Sequence, residues 1–235
     1  MEHIEVKIID SNIPTKPGMS KFLARMTQRG HLIGNMDDLM TLADDCMEDT
    51  PSEALLSLPH TTIMRMNYIT VAVTGLSTKC VSQLRTHAKR LTFLSTSTQY
   101  SPFDEKPDAF VFPYHTTTEQ HDKIAHAYNQ IQSLYKELMT LGMDKDDASY
   151  ILPQGLRKCL VISGPLDAWQ EVMRVRLCHR NSFETQFVMH SIYDAIRAVF
   201  GERFVVNMLP TCTTKTGCRE GKFCCGHPIK KEEFA

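Results

Sequence analysis

The stretch that decides the fold runs from Ser77 to Ser101, STKCVSQLRTHAKRLTFLSTSTQYS. Apolar side chains recur at helical spacing along its first part, at Cys80, Val81, Leu84, Ala88 and Leu91. Such a stripe predicts an amphipathic helix with one face against a core. After Thr92 the pattern gives way to polar residues, which predicts a hydroxyl-rich loop.

The end of this predicted helix is cationic and opens onto a row of hydroxyl groups. The cations are Arg85, His87, Lys89 and Arg90, and the hydroxyl groups belong to Ser95, Thr96, Ser97 and Thr98. Cations and hydroxyl donors together are suited to a phosphorylated or anionic ligand. Positive charge at a helix C-terminus and a Ser/Thr-rich loop are also ordinary structural features, so both interpretations stand at this point.

Composition limits the classes of function. The chain has 235 residues, of which 42% are hydrophobic and 23% charged, as in a soluble globular protein. A formal net charge of -1 gives no drive toward a nucleic acid polymer or an anionic membrane. No apolar run reaches transmembrane length, and the first residues do not form a signal peptide. We therefore expect a cytoplasmic protein.

Outward from the central stretch, strands and helices alternate irregularly. The segments YITVAVTG (68–75) and KCLVIS (158–163) are predicted strands, and 121–141 and 183–200 are predicted helices. We predict a mixed α/β (α+β) fold in which helices flank a central sheet. We expect one domain over residues 1–210 and a cysteine-rich tail over residues 211–235.

A further helix is predicted after Pro165. It carries Trp169, Met173 and Arg176 along one side, with Arg180 one turn beyond on that side. A cation on an apolar face points to a buried or interfacial cleft. The other interpretation is an arginine whose stem packs while its charged end stays in water.

The tail concentrates half of the eight cysteines. Cys212, Cys218 and Cys225, with Cys224 or His227 as a fourth ligand, could hold a structural zinc ion tetrahedrally. The spacing is looser than that of paired zinc knuckles, and free or partly oxidised thiols are the alternative.

Four elements in order resemble the flavin-dependent thymidylate synthases. The family motif is Arg-His-Arg, seven residues, Ser, one residue and Arg-Tyr, and its counterpart here is His87–Lys89, Ser97 and Gln99–Tyr100. The family's His-x-Thr/Ser element before a strand corresponds to His60–Thr62, and its Leu-Pro turn to Leu152–Pro153. The family has an arginine before an Ala-Gln-Trp-Glu segment, and Arg176 corresponds to it. The cysteine-rich tail is similar to that of one branch of the family.

The resemblance implies a family fold and a homotetramer with active sites shared between subunits. It implies the reductive methylation of dUMP to dTMP, with FAD as cofactor and with methylenetetrahydrofolate and NADPH as co-substrates. By position, His60, Thr62, His87 and Lys89 correspond to residues that contact the flavin. Ser95, Ser97, Gln99 and Arg176 correspond to nucleotide-binding residues, with Ser97 and Arg176 also in the catalytic set.

Several positions depart from the family pattern. Ser95 replaces the motif acid, Gln99 its second arginine, and Ser149 the arginine before the Leu-Pro turn. An acid is replaced by Arg65 and an arginine by Asp167. The alternative function is therefore a non-catalytic or retuned homologue, which binds a nucleotide or a protein partner or hydroxymethylates a related pyrimidine nucleotide.

Overall fold

The computed structural model describes residues 4–14, 16–58, 61–103, 108–214 and 217–229. Its strands are β1 (Glu5–Ser11), β2 (Tyr68–Ser77), β3 (Thr92–Ser95) and β4 (Arg157–Pro165), hydrogen-bonded in the order β1-β2-β4-β3. The helices are α1 (Met19–Gln28), α2 (Met36–Met47), α3 (Glu53–Leu56), α4 (Thr78–Arg85), α5 (Thr118–Thr140), α6 (Lys145–Ala148), α7 (Leu166–Arg176), α8 (Phe183–Phe200) and α9 (Glu202–Val205). The predicted mixed α/β class is confirmed.

The predicted strand and the helix that follows it are both present, as β2 and α4, but their boundaries differ from the prediction. The strand continues through Gly75, which has a φ of 79° that favours glycine, and ends at Ser77. The hydroxyl oxygen of Ser77 accepts a hydrogen bond from the backbone N–H of Cys80 at 3.0 Å. This N-cap satisfies a backbone donor that the first helical turn would otherwise leave without a partner.

The second half of the central stretch differs from the prediction. The helix ends at Arg85 rather than continuing to Leu91, and residues predicted as loop form β3. The backbone N–H of Thr96 donates to the carbonyl of Cys159 at 3.1 Å, just beyond this strand. A four-residue strand of this kind forms because a distant strand offers pairing, which local periodicity does not show.

Two compact units make up the chain. Unit 1 comprises residues 1–5, 72–86 and 93–161, and unit 2 comprises residues 6–71, 87–92 and 162–235. The predicted division into one domain over 1–210 and a tail over 211–235 stays a prediction.

The core of unit 1 is formed by buried side chains from α5 and from the segments that precede β4. They are Phe103, Ala109, Phe110, Tyr135, Ala148 and Leu156. Helix α5 begins with a capping box, in which Thr117 and Gln120 each bond the other's backbone N–H. The core and the cap together fix the long helix against the chain that leads into β4.

The core of unit 2 contains Trp169, the one tryptophan of the chain. It is fully buried, and its indole N–H donates to the carbonyl of Ile69 at 3.0 Å. Ile192 and Ile196 of α8 are buried, whereas Phe187 and Val199 are exposed. Arg180 lies outside α7, so it does not continue the face of Arg176.

No helix within the described ranges is long and apolar enough to cross a membrane.

Replacing Ser77 by Ala should lower the free energy of unfolding by about 1 kcal/mol, because the first turn of α4 loses its cap. Urea denaturation measures this change. Ser57 is exposed, and its Ala variant serves as the matched control with little expected effect. Equal stability of the Ser77 variant and the wild type would show that the cap does not hold α4.

Candidate functional site

Unit 1 contains a cavity of about 290 Å³ where α4, β3 and β4 meet. Its polar lining comprises Arg85, Ser95, Thr96, Ser97, Thr98 and Lys158, together with hydroxyl groups of α4. The structure thus brings Ser95 and Ser97, both predicted nucleotide ligands, into one cavity with two cations. Among the described residues that line it none is acidic, so the cavity is suited to an anion.

Lys158 supplies the buried cation of this cavity. The residue is 7% exposed, and its Nζ donates to the carbonyl of Thr96 at 3.2 Å. The same Nζ lies 4.9 Å from the centre of the Phe103 ring, within the range of a cation–π interaction. These contacts fix the ammonium group, and its low exposure to water strengthens its attraction for an anion.

The segment after β3 separates two residues that were predicted to act together. The hydroxyl oxygen of Ser97 accepts a hydrogen bond from the backbone N–H of Gln99 at 3.2 Å. Ser97 lines the cavity, whereas Gln99 is exposed and is absent from the lining. The position at which the family pattern has an arginine therefore supplies no charge to this cavity.

Unit 2 places Arg176 at the end of α7 beside His87. The Nε–H of Arg176 donates to Nε2 of His87 at 2.8 Å, and Nη1 donates to the side-chain oxygen of Asn181 at 2.8 Å. The Asn181 amide in turn donates to the carbonyls of Val175 and Cys178. Arg176 is therefore a partly buried guanidinium with a fixed plane, rather than a charge that extends into solvent.

His87 must be neutral to accept this hydrogen bond, so its ring proton resides on Nδ1. Burial is the main cause that lowers the pKa of His87, and the charge of Arg176 lowers it further against the opposing effect of Glu171. Within the described chain, Nδ1–H has no protein acceptor. It is therefore a donor that a bound molecule can use.

A buried carboxylate forms the centre of a second charge network in unit 2. Asp167 is 3% exposed, and its Oδ2 lies 3.1 Å from Nε of Arg65 and 3.5 Å from Nη2 of Arg90. Arg90 also contacts Glu171 at 2.5 Å. Arg65 and Asp167 are the two positions at which this chain reverses the charge of the family pattern, and here they form an ion pair.

The predicted flavin ligands are placed as follows. His60 lies outside the described residues, while Thr62 and Lys89 are exposed in unit 2. Lys89 forms no ion pair with any described residue, and Nδ1–H of His87 lacks an acceptor there. A hydroxyl group, a cation and an imidazole donor fit the phosphate and carbonyl oxygens of FAD.

Three of the tail thiols are neighbours, because Cys224 interacts with both Cys218 and Cys225. Cys218 shares a hydrogen bond with Cys224, whereas the Cys225 thiol donates to the carbonyl of His227 at 3.3 Å. Cys212 lines a separate cavity of about 490 Å³ that also reaches Cys218. Within residues that the structure describes, no group of three or more His, Cys, Asp or Glu side chains could hold a metal ion. A zinc site at Cys212, Cys218 and Cys225 stays a prediction.

Sequence reasoning missed Lys158, although a signal for it exists. In β4 the buried positions alternate, and Lys158 shares the buried side with Leu160 and Ile162. A charged residue on the apolar face of a strand needs a partner or a ligand, and that requirement marks it as a candidate.

Comparison with known proteins gives one family. Residues 10–201 match the family model described as thymidylate synthase complementing protein. Relatives named flavin-dependent thymidylate synthase come from Pyrococcus abyssi, with 27% identity over 60% of this chain and 59% of the relative, and from Pyrococcus furiosus, with 28% identity over 57% and 56%. The chain therefore spans less than two thirds of the length of these relatives.

Solved structures share the fold. Thymidylate synthase X from Helicobacter pylori, solved with FAD and dUMP, superposes with a TM-score of 0.65 at 14% identity, over 87% of this chain and 99% of that one. The UMP/dUMP methylase PolB from Streptomyces cacaoi, bound to 5-bromo-dUMP, gives a TM-score of 0.61 at 18% identity, over 86% and 95%. The predicted fold is confirmed.

The state of His87 can be tested by following its ring resonances by NMR against pH. The titration midpoint should lie below the usual value of 6.5, and Arg176→Met should raise it because a neighbouring positive charge is removed. Since the folded pKa is depressed, the contribution of His87 to stability is present above the unfolded pKa and is lost as pH falls toward the folded pKa. Arg203→Met, at an exposed arginine, is the control. A midpoint at or above 6.5 in the wild type would contradict the assignment.

Proposed function

This chain belongs to the thymidylate synthase complementing protein family of flavin-dependent thymidylate synthases, and we propose that it methylates dUMP to dTMP. In the proposed reaction, methylenetetrahydrofolate supplies the one-carbon unit and NADPH the reducing equivalents. The observation that carries the proposal is the cavity of unit 1, in which Ser95 and Ser97 meet Arg85 and Lys158.

We propose that the two cations of this cavity supply the positive charge that the missing family arginines would provide. Gln99 and Ser149 carry no charge. Arg85 and Lys158, however, line the same cavity as Ser95 and Ser97, two of the predicted nucleotide-binding residues. A phosphate dianion requires charged donors, because hydrogen bonds from charged groups are about twice as strong as those between neutral groups. We propose that Lys158 and Arg85 bind the nucleotide phosphate, with the hydroxyl groups of Ser95 and Ser97 alongside.

Arg176 and Ser97 are the proposed catalytic residues. C5 of the uracil ring becomes nucleophilic when negative charge builds up on the C4 carbonyl oxygen, as in an enolate, and C5 then attacks the one-carbon unit. A guanidinium whose plane is already fixed by His87 and Asn181 stabilises such charge without reorganising at the moment of reaction. His87 acts as a positioning residue for Arg176 through the hydrogen bond at Nε2. Ser97, the other proposed catalytic residue, contributes its hydroxyl group to the cavity of unit 1.

FAD would be held by His60, Thr62, His87 and Lys89, the last two through a neutral imidazole N–H and an ammonium group. When bound, the flavin supplies the hydride transfer that side chains cannot perform. Consistent with the family resemblance, we propose a homotetramer with shared active sites that works in the cytoplasm.

The alternative is a homologue that binds a nucleotide without turnover or that modifies a related one. The missing arginine at Gln99 is the observation in its favour. The Streptomyces cacaoi neighbour is a UMP/dUMP methylase, so UMP is the related nucleotide to compare with dUMP.

Turnover separates these functions. The purified protein, loaded with FAD, is incubated with dUMP or UMP, methylenetetrahydrofolate and NADPH, and the methylated nucleotide is measured by mass spectrometry. We expect dTMP from the wild type and a loss of at least about a hundredfold in Arg176→Ala, in the range for removing one charge-stabilising donor. Nucleotide binding without methylated product from either substrate would replace the proposal with the non-catalytic alternative.

The phosphate assignment makes a sharper prediction, because dUMP and deoxyuridine differ only in the phosphate. Lys158→Met should weaken the binding of dUMP, measured by calorimetry, by about tenfold to a hundredfold, the effect of one charged hydrogen bond. The binding of deoxyuridine should change little, since it lacks the group that Lys158 binds.

The matched control is Lys79→Met, at an exposed lysine of α4 that does not line the cavity. It should bind dUMP as the wild type does. Equal losses for dUMP and deoxyuridine in Lys158→Met would mean that Lys158 supports the fold of the cavity and does not bind phosphate.

A further inference from the structure

A second cationic cavity lies in unit 2, between α7 and the beginning of the tail. Its volume is about 470 Å³, and its polar lining consists of Arg174, Asn207, Thr211, Thr213, Thr214 and Arg219. It shares no residue with the cavity of α4, β3 and β4, and the proposed reaction assigns it no role.

Two guanidinium groups, those of Arg174 and Arg219, line this cavity. Burial lowers the pKa of Arg174, the charge of Arg219 lowers it further, and Glu171 opposes the shift. Like charges at short range repel each other, and an anion bound between them removes that repulsion. Within the described part of the chain, no acidic side chain lines this cavity, whereas Glu171 and Glu220 line the adjoining cavity of about 490 Å³ that shares Arg174, Thr211 and Arg219 with it.

Among the described residues, none forms an ion pair with Arg174 or Arg219. Nε of Arg174 donates to the carbonyl of Asn207 at 2.6 Å, which orients the guanidinium but leaves its charge in place. The guanidinium of Arg219 forms no hydrogen bond or ion pair with any described residue. Glu171, whose charge opposes that of Arg219 at Arg174, contacts Arg90 at 2.5 Å, and Glu220 contacts Arg180 at 3.4 Å.

Hydroxyl groups complete the polar lining. Thr213 and Thr214 donate to the carbonyls of Pro210 and Thr211, so their orientation is set by the backbone of the tail. The hydroxyl of Thr211 has no hydrogen-bond partner within the described chain. It is therefore available as a neutral donor beside the two arginines.

We infer that this cavity binds the phosphate group of a small molecule, with Arg174 and Arg219 as the charged donors and Thr211 as the neutral one. Two guanidinium groups match the charge of a phosphate dianion, and their planar forks match its oxygens. The volume exceeds that of phosphate alone, so the rest of a phosphorylated molecule fits as well. The inference does not rest on the proposed methylation of dUMP.

The test measures binding of radiolabelled inorganic phosphate by equilibrium dialysis. Arg219→Gln should weaken binding by about tenfold or more, as expected for loss of a charged hydrogen bond. Arg203→Gln, at an exposed arginine outside the cavity, should leave it unchanged. Competition of ribose 5-phosphate against the labelled phosphate shows whether the natural ligand is a phosphorylated metabolite or free phosphate. If ribose 5-phosphate binds more tightly than phosphate, the ligand is a phosphorylated metabolite. If the two bind equally, the ligand is free phosphate.

Lys158→Met separates this site from the proposed nucleotide site, because phosphate bound near Arg219 should be retained in that variant. Arg219→Gln removes no hydrogen bond or ion pair within the described chain, so its melting temperature should match that of the wild type. Arg219→Lys should bind with intermediate affinity, since it keeps the charge and loses the fork. Wild-type affinity for phosphate in both Arg219→Gln and Arg174→Gln would overturn the inference.

Discussion

The pairing of β4 with its neighbours is the constraint on which the proposed nucleotide site depends. This strand lies between β2 and β3 in the sheet. Its register presents Lys158 on the buried side, where the ammonium group donates to the carbonyl of Thr96. A shift of one residue would turn Lys158 to the opposite side and remove the cation from the cavity. The backbone of Cys159 secures this register by bonding both the N–H and the hydroxyl of Thr96.

Several charged side chains of this chain differ from the family pattern, but those at positions 65 and 167 still form an ion pair. Arg65 and Asp167 exchange the expected signs and still form an ion pair, in which the buried carboxylate is compensated by two arginines. Such compensation is required because a buried carboxylate without a partner would be strongly destabilising. Lys158 and Arg85 supply positive charge at positions that the quoted motif does not include, while Gln99 and Ser149 lack the arginines of the family pattern. Substitution at contact positions is thus not by itself a sign of a lost site.

Sequence periodicity was sufficient for the elements that depend on local pattern. The bounds of α8 agree with the prediction, and β2 extends the predicted strand by two residues. Elements that depend on distant partners could not be predicted in this way. The strand β3 owes its existence to β4, and the partner of Arg65 lies 102 residues away along the chain. The resemblance supplied the family and the candidate positions, but it could not identify Lys158, which matches no position of the quoted motif.

The central claim is that Lys158 and Arg85 bind the nucleotide phosphate in place of the missing arginines. The most direct measurement is a crystal structure of the FAD-loaded protein with 5-bromo-dUMP, in which the anomalous signal of bromine locates the base. We expect a phosphate oxygen within about 3 Å of Lys158 Nζ or of an Arg85 nitrogen. A nucleotide whose phosphate lies outside the cavity formed by α4, β3 and β4 would contradict it.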